Sequence, residues 1–166
     1  MSFLAWLEST TLSQWIVGSL WAFPVILTFH AIGMGVAAGL SAMLDLRILG
    51  VGRGIPFPEL RRFVPVLWAG FWVNAVSGVL LLIGYPTKAL TNPVFYLKLS
   101  LIAGGMVLLL RLTRRLFADG GGELVAPPTS PAIRRLAIVS LVCWAGAIVA
   151  GRLLAYTYSH LTATDY

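Results

Sequence analysis

Three polar side chains, His30, Asn74 and Arg152, interrupt otherwise apolar stretches of this sequence and are the first candidates for chemistry. Counted at ~1.5 Å per helical residue from the ends of their segments, His30 lies ~13 Å deep and Asn74 ~16 Å deep, which allows contact between them. An imidazole within an apolar helix can hydrogen-bond to a neighbouring helix, act as an axial ligand of haem iron, or border a quinone or a proton path. From the sequence, all of these hypotheses remain open.

Arg152, Tyr156 and His160 recur every four residues, so they lie along one face of the last apolar segment. The Arg152 side chain can snorkel to lipid phosphate, neutralise the acidic groups of a cofactor, or pair with an acid of another subunit. As the second ligand of a haem, His160 would meet His30 only if the last helix were markedly tilted. Met106 is the other candidate for this ligand. We therefore predict a cofactor site in the outer half of the membrane.

The acidic residue Asp45 ends the first apolar segment, two residues before Arg47. We expect it to form an ion pair with Arg47 or with an arginine of the next segment. Ser41 is the one nearby polar residue in the sequence, so no continuous polar path leads outward from Asp45, which argues against a proton-driven transporter. The chain also lacks a Gly-rich phosphate loop, a His-x-x-x-His pair and a nucleophile elbow, so we predict no independent catalytic activity.

The apolar composition of the chain indicates that helices within a lipid bilayer position these residues. Hydrophobic residues make up 58% of the 166 residues and charged residues 11%, against about 25% charged residues in an ordinary soluble domain. No segment alternates apolar and polar residues as a membrane barrel would. We predict an all-α membrane protein with an amphipathic interfacial segment over residues 1–20 and a four-helix transmembrane bundle over residues 21–166. The four predicted spans are residues 21–49, 63–85, 94–110 and 136–158.

The formal net charge of +6 indicates orientation rather than a nucleic-acid partner. Basic residues collect on the cytoplasmic side of membrane proteins, and no basic patch here is interleaved with aromatic residues. Lys88 and Lys98 lie on the opposite side, so we expect both termini to face outward. The nine arginines of the cytoplasmic side are Arg47, Arg53, Arg61, Arg62, Arg111, Arg114, Arg115, Arg134 and Arg135.

Small residues recur within the spans, where they let helix backbones approach closely. Gly35 and Gly39 form a GxxxG motif in the first span, and Gly104, Gly105 and Gly151 lie in the third and fourth spans. We expect these glycines to pack helices within one bundle. The alternative is that they serve self-association or docking onto other membrane or periplasmic subunits.

Several short pieces of the chain together resemble an uncharacterised bacterial family of small four-helix inner-membrane proteins. That family distantly resembles membrane b-type cytochromes and copper-resistance membrane domains. The resemblance implies the four-helix fold and a bacterial inner-membrane location, but no established activity. The pieces are Trp21-Ala22-Phe23-Pro24, His30, Asp45-Leu46-Arg47-Ile48-Leu49-Gly50, Trp68-Ala69-Gly70-Phe71, Asn92-Pro93-Val94-Phe95-Tyr96-Leu97-Lys98 and Gly151-Arg152-Leu153-Leu154-Ala155-Tyr156.

These observations lead to a main hypothesis and two alternatives. The main hypothesis is a membrane subunit for electron transfer with a periplasmic or membrane partner, with b-type haem or a quinone held in the outer half of the membrane. In it His30 is the iron ligand or headgroup contact, Asn74 orients the ring, and Arg152, Tyr156 and His160 line the cofactor. The first alternative is a cofactor-free structural or accessory subunit that docks onto a larger membrane complex. A small-solute transporter is the second, and it would need a broken helix or an acidic site at the midplane.

Overall fold

The computed structural model describes residues 3–117 and 130–162, and these residues form α-helices and no β-strand. The predicted all-α fold is therefore confirmed. In chain order the helices are α1 (Phe3–Glu8), α2 (Thr11–Gly18), α3 (Ala22–Leu49), α4 (Phe57–Arg62), α5 (Val64–Gly84), α6 (Pro86–Leu90), α7 (Pro93–Leu116) and α8 (Pro131–Thr162).

Four stretches of helix are long and apolar enough to cross a membrane, as predicted. They are α3, the continuous stretch of α4 and α5 from Phe57 to Gly84, α7, and the part of α8 from Pro131 to Leu154. Helices α7 and α8 extend beyond the predicted spans at their arginine-bearing ends. Hydropathy detects only the apolar part of a helix, whereas arginine is a good helix former whose charged end reaches back to water.

Proline, asparagine and glycine residues set the ends of the long helices. Helices α5 and α7 carry proline in their first turn, where a missing backbone N–H costs no hydrogen bond. The Asn92 side chain caps α7 by accepting from the Val94 N–H at 2.9 Å. It also donates to the Thr157 hydroxyl of α8 at 2.7 Å, which ties two helix ends together. Gly50 ends α3 with a φ of 102°, a left-handed conformation that favours glycine.

Helix α3 is the centre of the bundle. It packs along α5 on one side and against α8 on another, and α8 in turn packs along α7. The approach of α3 to α5 is closest at Gly33 and Gly70. A Cβ atom added at Gly33 would lie 2.6 Å from the Asn74 backbone nitrogen and 2.7 Å from the Gly70 carbonyl oxygen. The two helices therefore cross at a distance that only glycine permits.

The glycines of the predicted GxxxG motif are not at this crossing, which corrects our expectation that they pack the bundle. Gly35 and Gly39 are exposed on α3, and a Cβ atom added at either would meet nothing within 4 Å. The reason is helical geometry: Gly33 faces α5, and a residue two positions further on points to the other side of the helix.

The three other predicted packing glycines lie where α7 meets α8. A Cβ atom at Gly105 would lie 3.0 Å from the ring of Trp144, and one at Gly104 would lie 3.5 Å from the sulfur of Cys143. A Cβ atom at Gly151 would lie 3.7 Å from Cε of Lys98. Gly105 thus leaves room for an indole ring, and Gly151 leaves room for a lysine side chain.

The N-terminal segment forms two short helices, α1 and α2, beside the end of α5. Ile16 on α2 is fully buried, and a Cβ atom at Gly84 would lie 2.9 Å from its Cγ2. Trp6 and Trp15 on the same segment are more than half exposed, at 55% and 58%. One face of the segment therefore packs on the bundle while tryptophans face outward, the side chains preferred at membrane interfaces.

Candidate functional site around His30 and Lys98

The imidazole of His30 lies between α3 and α5, held by α5 on one edge. Its Nδ1 is 3.0 Å from the backbone oxygen of Asn74 and 3.3 Å from the hydroxyl of Ser77. Gly78 leaves space for the ring, because a Cβ atom there would lie 3.1 Å from His30 Cε1. The Asn74 carbonyl, the Ser77 hydroxyl and the space left by Gly78 together set the orientation of the imidazole.

Asn74 of α5 also contacts His30 through its own side chain. It is buried, and its Nδ2 donates to the backbone oxygen of His30 at 2.8 Å. The same Nδ2 lies 3.3 Å from His30 Nδ1. The structure therefore places in contact the two residues whose depths matched in the sequence. Side-chain hydrogen bonds between membrane helices contribute about 0.6–2 kcal/mol each, so this pair helps to hold α3 against α5.

Lys98 completes the site, although its position in the sequence had indicated only a basic residue of the outer side. Its Nζ lies 3.1 Å from Nε2 of His30. The side chain is half-buried, and its methylenes pass Gly151 of α8. Residue counting could have found it. At ~1.5 Å per residue Lys98 lies ~7.5 Å from the start of α7, which places a charged residue within a span.

With Lys98 as an ammonium, these contacts assign the imidazole proton to one nitrogen. A lysine ammonium has three N–H donors and no acceptor, so Lys98 donates to Nε2 of His30. Nε2 must then be unprotonated, and Nδ1 carries the hydrogen and donates to the Asn74 carbonyl. The Ser77 hydroxyl donates to backbone oxygens of its own helix, including that of Asn74 at 3.1 Å. All four helices of the bundle contribute a residue to this arrangement.

With Lys98 as an ammonium, the site is rich in donors and carries a positive charge. Among the described residues the only ion pair joins Arg62 to Glu59 on α4, so no described carboxylate faces Lys98. One of its three N–H groups is occupied by His30, and two remain for another acceptor. A charged group within a membrane span is costly unless an acceptor or counter-ion is near. The arrangement is therefore suited to a ligand with a carbonyl or an anionic oxygen.

A haem iron at His30 stays a prediction, and the donor set in this structure does not favour it. Axial ligation needs a free lone pair on an imidazole nitrogen. The Nε2 lone pair faces the Lys98 ammonium, and Nδ1 bonds to the Asn74 carbonyl. Met106, the predicted second ligand, is 6% exposed within the hydrophobic core cluster. Across residues 3–117 and 130–162 no three His, Cys, Asp or Glu side chains group together as a metal site.

The predicted stripe on α8 does not join His30. Arg152 and Tyr156 are both exposed on α8, whereas their neighbour Gly151 faces Lys98. The side chain of His160 lies outside the part of the chain that the structure describes. Arg152 and Tyr156 thus share an exposed face of α8. Sequence periodicity groups residues by face without telling which face meets the bundle.

Asp45 does not form the predicted ion pair with Arg47. Its side chain is fully buried, and no described arginine contacts it. Arg47 instead donates to the backbone oxygens of Ile55 at 2.7 Å and Arg53 at 3.1 Å, and lies over the ring of Phe57. The loop after α3 thus supplies carbonyl acceptors to the arginine, and the carboxyl group is left inside the bundle.

No family model, curated protein sequence or solved structure matches this chain. The fold and the site themselves define its class: an integral membrane protein of four apolar spans with a polar site between them. Within that class, the distinguishing feature is a lysine–histidine pair built from α3 and α7 and supported from α5.

Proposed function

We propose that this integral membrane protein binds the headgroup of a lipid-soluble quinone at the His30–Lys98 pair, as a subunit that exchanges electrons with a membrane or periplasmic partner. The observation that carries the proposal is the Lys98 ammonium, held 3.1 Å from His30 Nε2 with no described carboxylate beside it. A quinone carbonyl oxygen accepts hydrogen bonds, and Lys98 retains N–H groups to donate to one.

Access from lipid supports the same ligand. His30 and Lys98 are both half-buried, and Asn74 behind them is buried. A ligand dissolved in the bilayer can therefore approach the ammonium without displacing the core. Binding sites for small molecules commonly combine an apolar lining with a few placed polar groups. The residues around the pair are mostly apolar because they belong to spans.

The pair also suits a ligand whose carbonyl oxygens take up protons. A bound quinone supplies the redox chemistry. Lys98 holds a proton on Nζ within hydrogen-bond distance of the lone pair on His30 Nε2. The Asn74 carbonyl accepts from Nδ1 and keeps that lone pair directed at Lys98. The chain thereby holds one transferable proton beside the position where we place the headgroup.

Calorimetric titration of the purified protein with a short-chain quinone in non-ionic detergent tests this proposal. Lys98→Met removes the ammonium and retains the length of the side chain, and Lys98→Arg retains a charged donor. A charge-assisted hydrogen bond contributes about 1.5–3 kcal/mol, so Lys98→Met should weaken binding roughly tenfold to a hundredfold. Lys98→Arg should recover most of the affinity.

Lys88→Met is the matched control, since Lys88 lies on α6 over the ring of Tyr85 and away from His30. It should bind the quinone like the unaltered protein. Equal affinity of Lys98→Met and the unaltered protein would contradict the proposal, as would equal losses from the Lys88 and Lys98 variants.

The outward position of Gly35 and Gly39 favours a second candidate function, a cofactor-free accessory subunit. Both glycines present open backbone on the lipid-facing side of α3, a surface on which another membrane helix can pack closely. This function predicts a co-purifying membrane chain that Gly35→Leu removes while the fold and quinone binding are unchanged. Cross-linking in membranes followed by mass spectrometry measures it.

A further inference from the structure

A second polar cluster lies in the inner half of the bundle, far from His30. Asp45 on α3 has an exposed fraction of 0%, and neither carboxyl oxygen has a hydrogen-bond partner. It lies four residues from the end of α3, ~6 Å along the helix. Ser140 of α8 faces this carboxyl group closely enough to interact with it, but without the geometry of an ordinary hydrogen bond. A carboxyl group so placed is shielded from bulk water, and no described group donates a hydrogen bond of ordinary geometry to it.

The two serines of this cluster behave unlike other hydroxyl-bearing residues in the spans. Ser41 and Ser140 are both 0% exposed, and neither hydroxyl has a hydrogen-bond partner. Elsewhere in the spans these hydroxyls donate to the carbonyl one turn back, which is the default for Ser and Thr inside a helix. The residues that follow the default are Thr28, Ser77, Ser100, Thr113 and Thr157.

We infer that Asp45, Ser41 and Ser140 form a binding site for a sodium ion. Ser41 lies one turn before Asp45 on α3, so their side chains share a face, and Ser140 approaches from α8. Together they supply four buried oxygens without hydrogen-bond partners where α3 packs against α8. Carboxylate and hydroxyl oxygens are the ligands of hard cations, and a bound cation satisfies all of them while neutralising the buried charge.

The composition of the cluster distinguishes sodium from other occupants. One carboxylate balances one positive charge, whereas a divalent ion would leave an excess charge in an apolar interior. A proton on Asp45 would create an O–H donor that needs a single acceptor. Protonation therefore does not explain why neither serine hydroxyl donates to the carbonyl oxygen one turn back in its own helix. Trp144 Nε1 also lacks a partner, but it points to Gly105 on α7 and would repel a cation.

Thermal unfolding in non-ionic detergent, followed by circular dichroism, tests the site. Sodium chloride replaces choline chloride at constant ionic strength and neutral pH. Above the dissociation constant, each tenfold rise in sodium should lower the ratio of unfolded to folded protein about tenfold. Asp45→Asn, which retains the shape of the side chain, should abolish this dependence. Ser140→Ala should shift it to a sodium concentration several-fold higher.

Glu59→Gln is the matched control, because it removes a carboxylate from the exposed ion pair of α4. It should leave the sodium response unchanged. Three results would overturn the inference: unfolding that does not distinguish sodium from choline, a sodium response that Asp45→Asn retains, or an infrared carboxylic-acid band at neutral pH in saturating sodium that is lost in Asp45→Asn. The last result would show that a proton neutralises Asp45 instead.

Discussion

The crossing of α3 and α5 makes Gly33→Ala the sharpest test of this structure. The new Cβ atom would lie 2.6 Å from the Asn74 nitrogen and 2.7 Å from the Gly70 oxygen, whereas ordinary contact begins at 3.4 Å. Both neighbours are backbone atoms of α5, so neither can rotate away. The helices must therefore separate by about 0.8 Å at this point, the difference between the ordinary and the built contact.

That separation acts directly on the contact between His30 and Asn74. The bond from Asn74 Nδ2 to the His30 carbonyl is 2.8 Å long, and a shift of this size carries it to the limit of hydrogen bonding. Forcing an extra carbon into a packed interface costs about 1–3 kcal/mol. The interhelical hydrogen bond contributes about 0.6–2 kcal/mol. Together these effects predict a loss of about 2–5 kcal/mol in the free energy of unfolding.

The assay is unfolding by dodecyl sulfate in mixed micelles, followed by circular dichroism. Gly35→Ala is the control, because the same methyl group two residues further along α3 meets nothing within 4 Å. It should be neutral or stabilising by up to about 1 kcal/mol, since alanine favours the helix over glycine. A Gly33→Ala protein as stable as the unaltered one would refute the close crossing. Equal losses of stability in both variants would refute the assignment of Gly33 to the side of α3 that faces α5 and of Gly35 to the exposed side.

Three further outcomes are expected. Gly105→Ala should destabilise the protein by about 1–3 kcal/mol because its Cβ would press on Trp144 at 3.0 Å, whereas Gly104→Ala, with an ordinary 3.5 Å contact, should change little in the same titration. Asn92→Ala should cost about 1–2 kcal/mol, since it removes both the cap of α7 and the 2.7 Å bond to Thr157; a neutral result would show that these bonds are dispensable. The purified protein should show no Soret band after growth with a haem precursor, and a band that depends on His30 would contradict the geometry of the site.

Hydropathy alone was sufficient to predict the number of spans. A span needs about 20 apolar residues, and that requirement is visible along a linear sequence. The ends of α7 and α8 were less predictable. They extend into arginine-rich sequence, where hydropathy falls although the helix continues through residues with good helix propensity.

The contact between His30 and Asn74 was also accessible from the sequence, because depth in a membrane follows from residue counting. Lys98 was not found, since counting assigns a depth but not a direction. A lysine near the outer end of a span usually snorkels outward. Here Gly151 leaves room on α8 for the side chain to turn into the bundle.

The sequence by itself determined the all-α class, the four spans and the identity of the polar residues within them. Only the tertiary structure decided which of these residues meet. It turned Gly33 rather than Gly35 toward α5 and left Arg152 on the surface. It also buried Asp45 without a partner. The physical reason is that the number of spans follows from local composition, whereas the rotation of each helix about its axis follows from packing between residues distant in the chain.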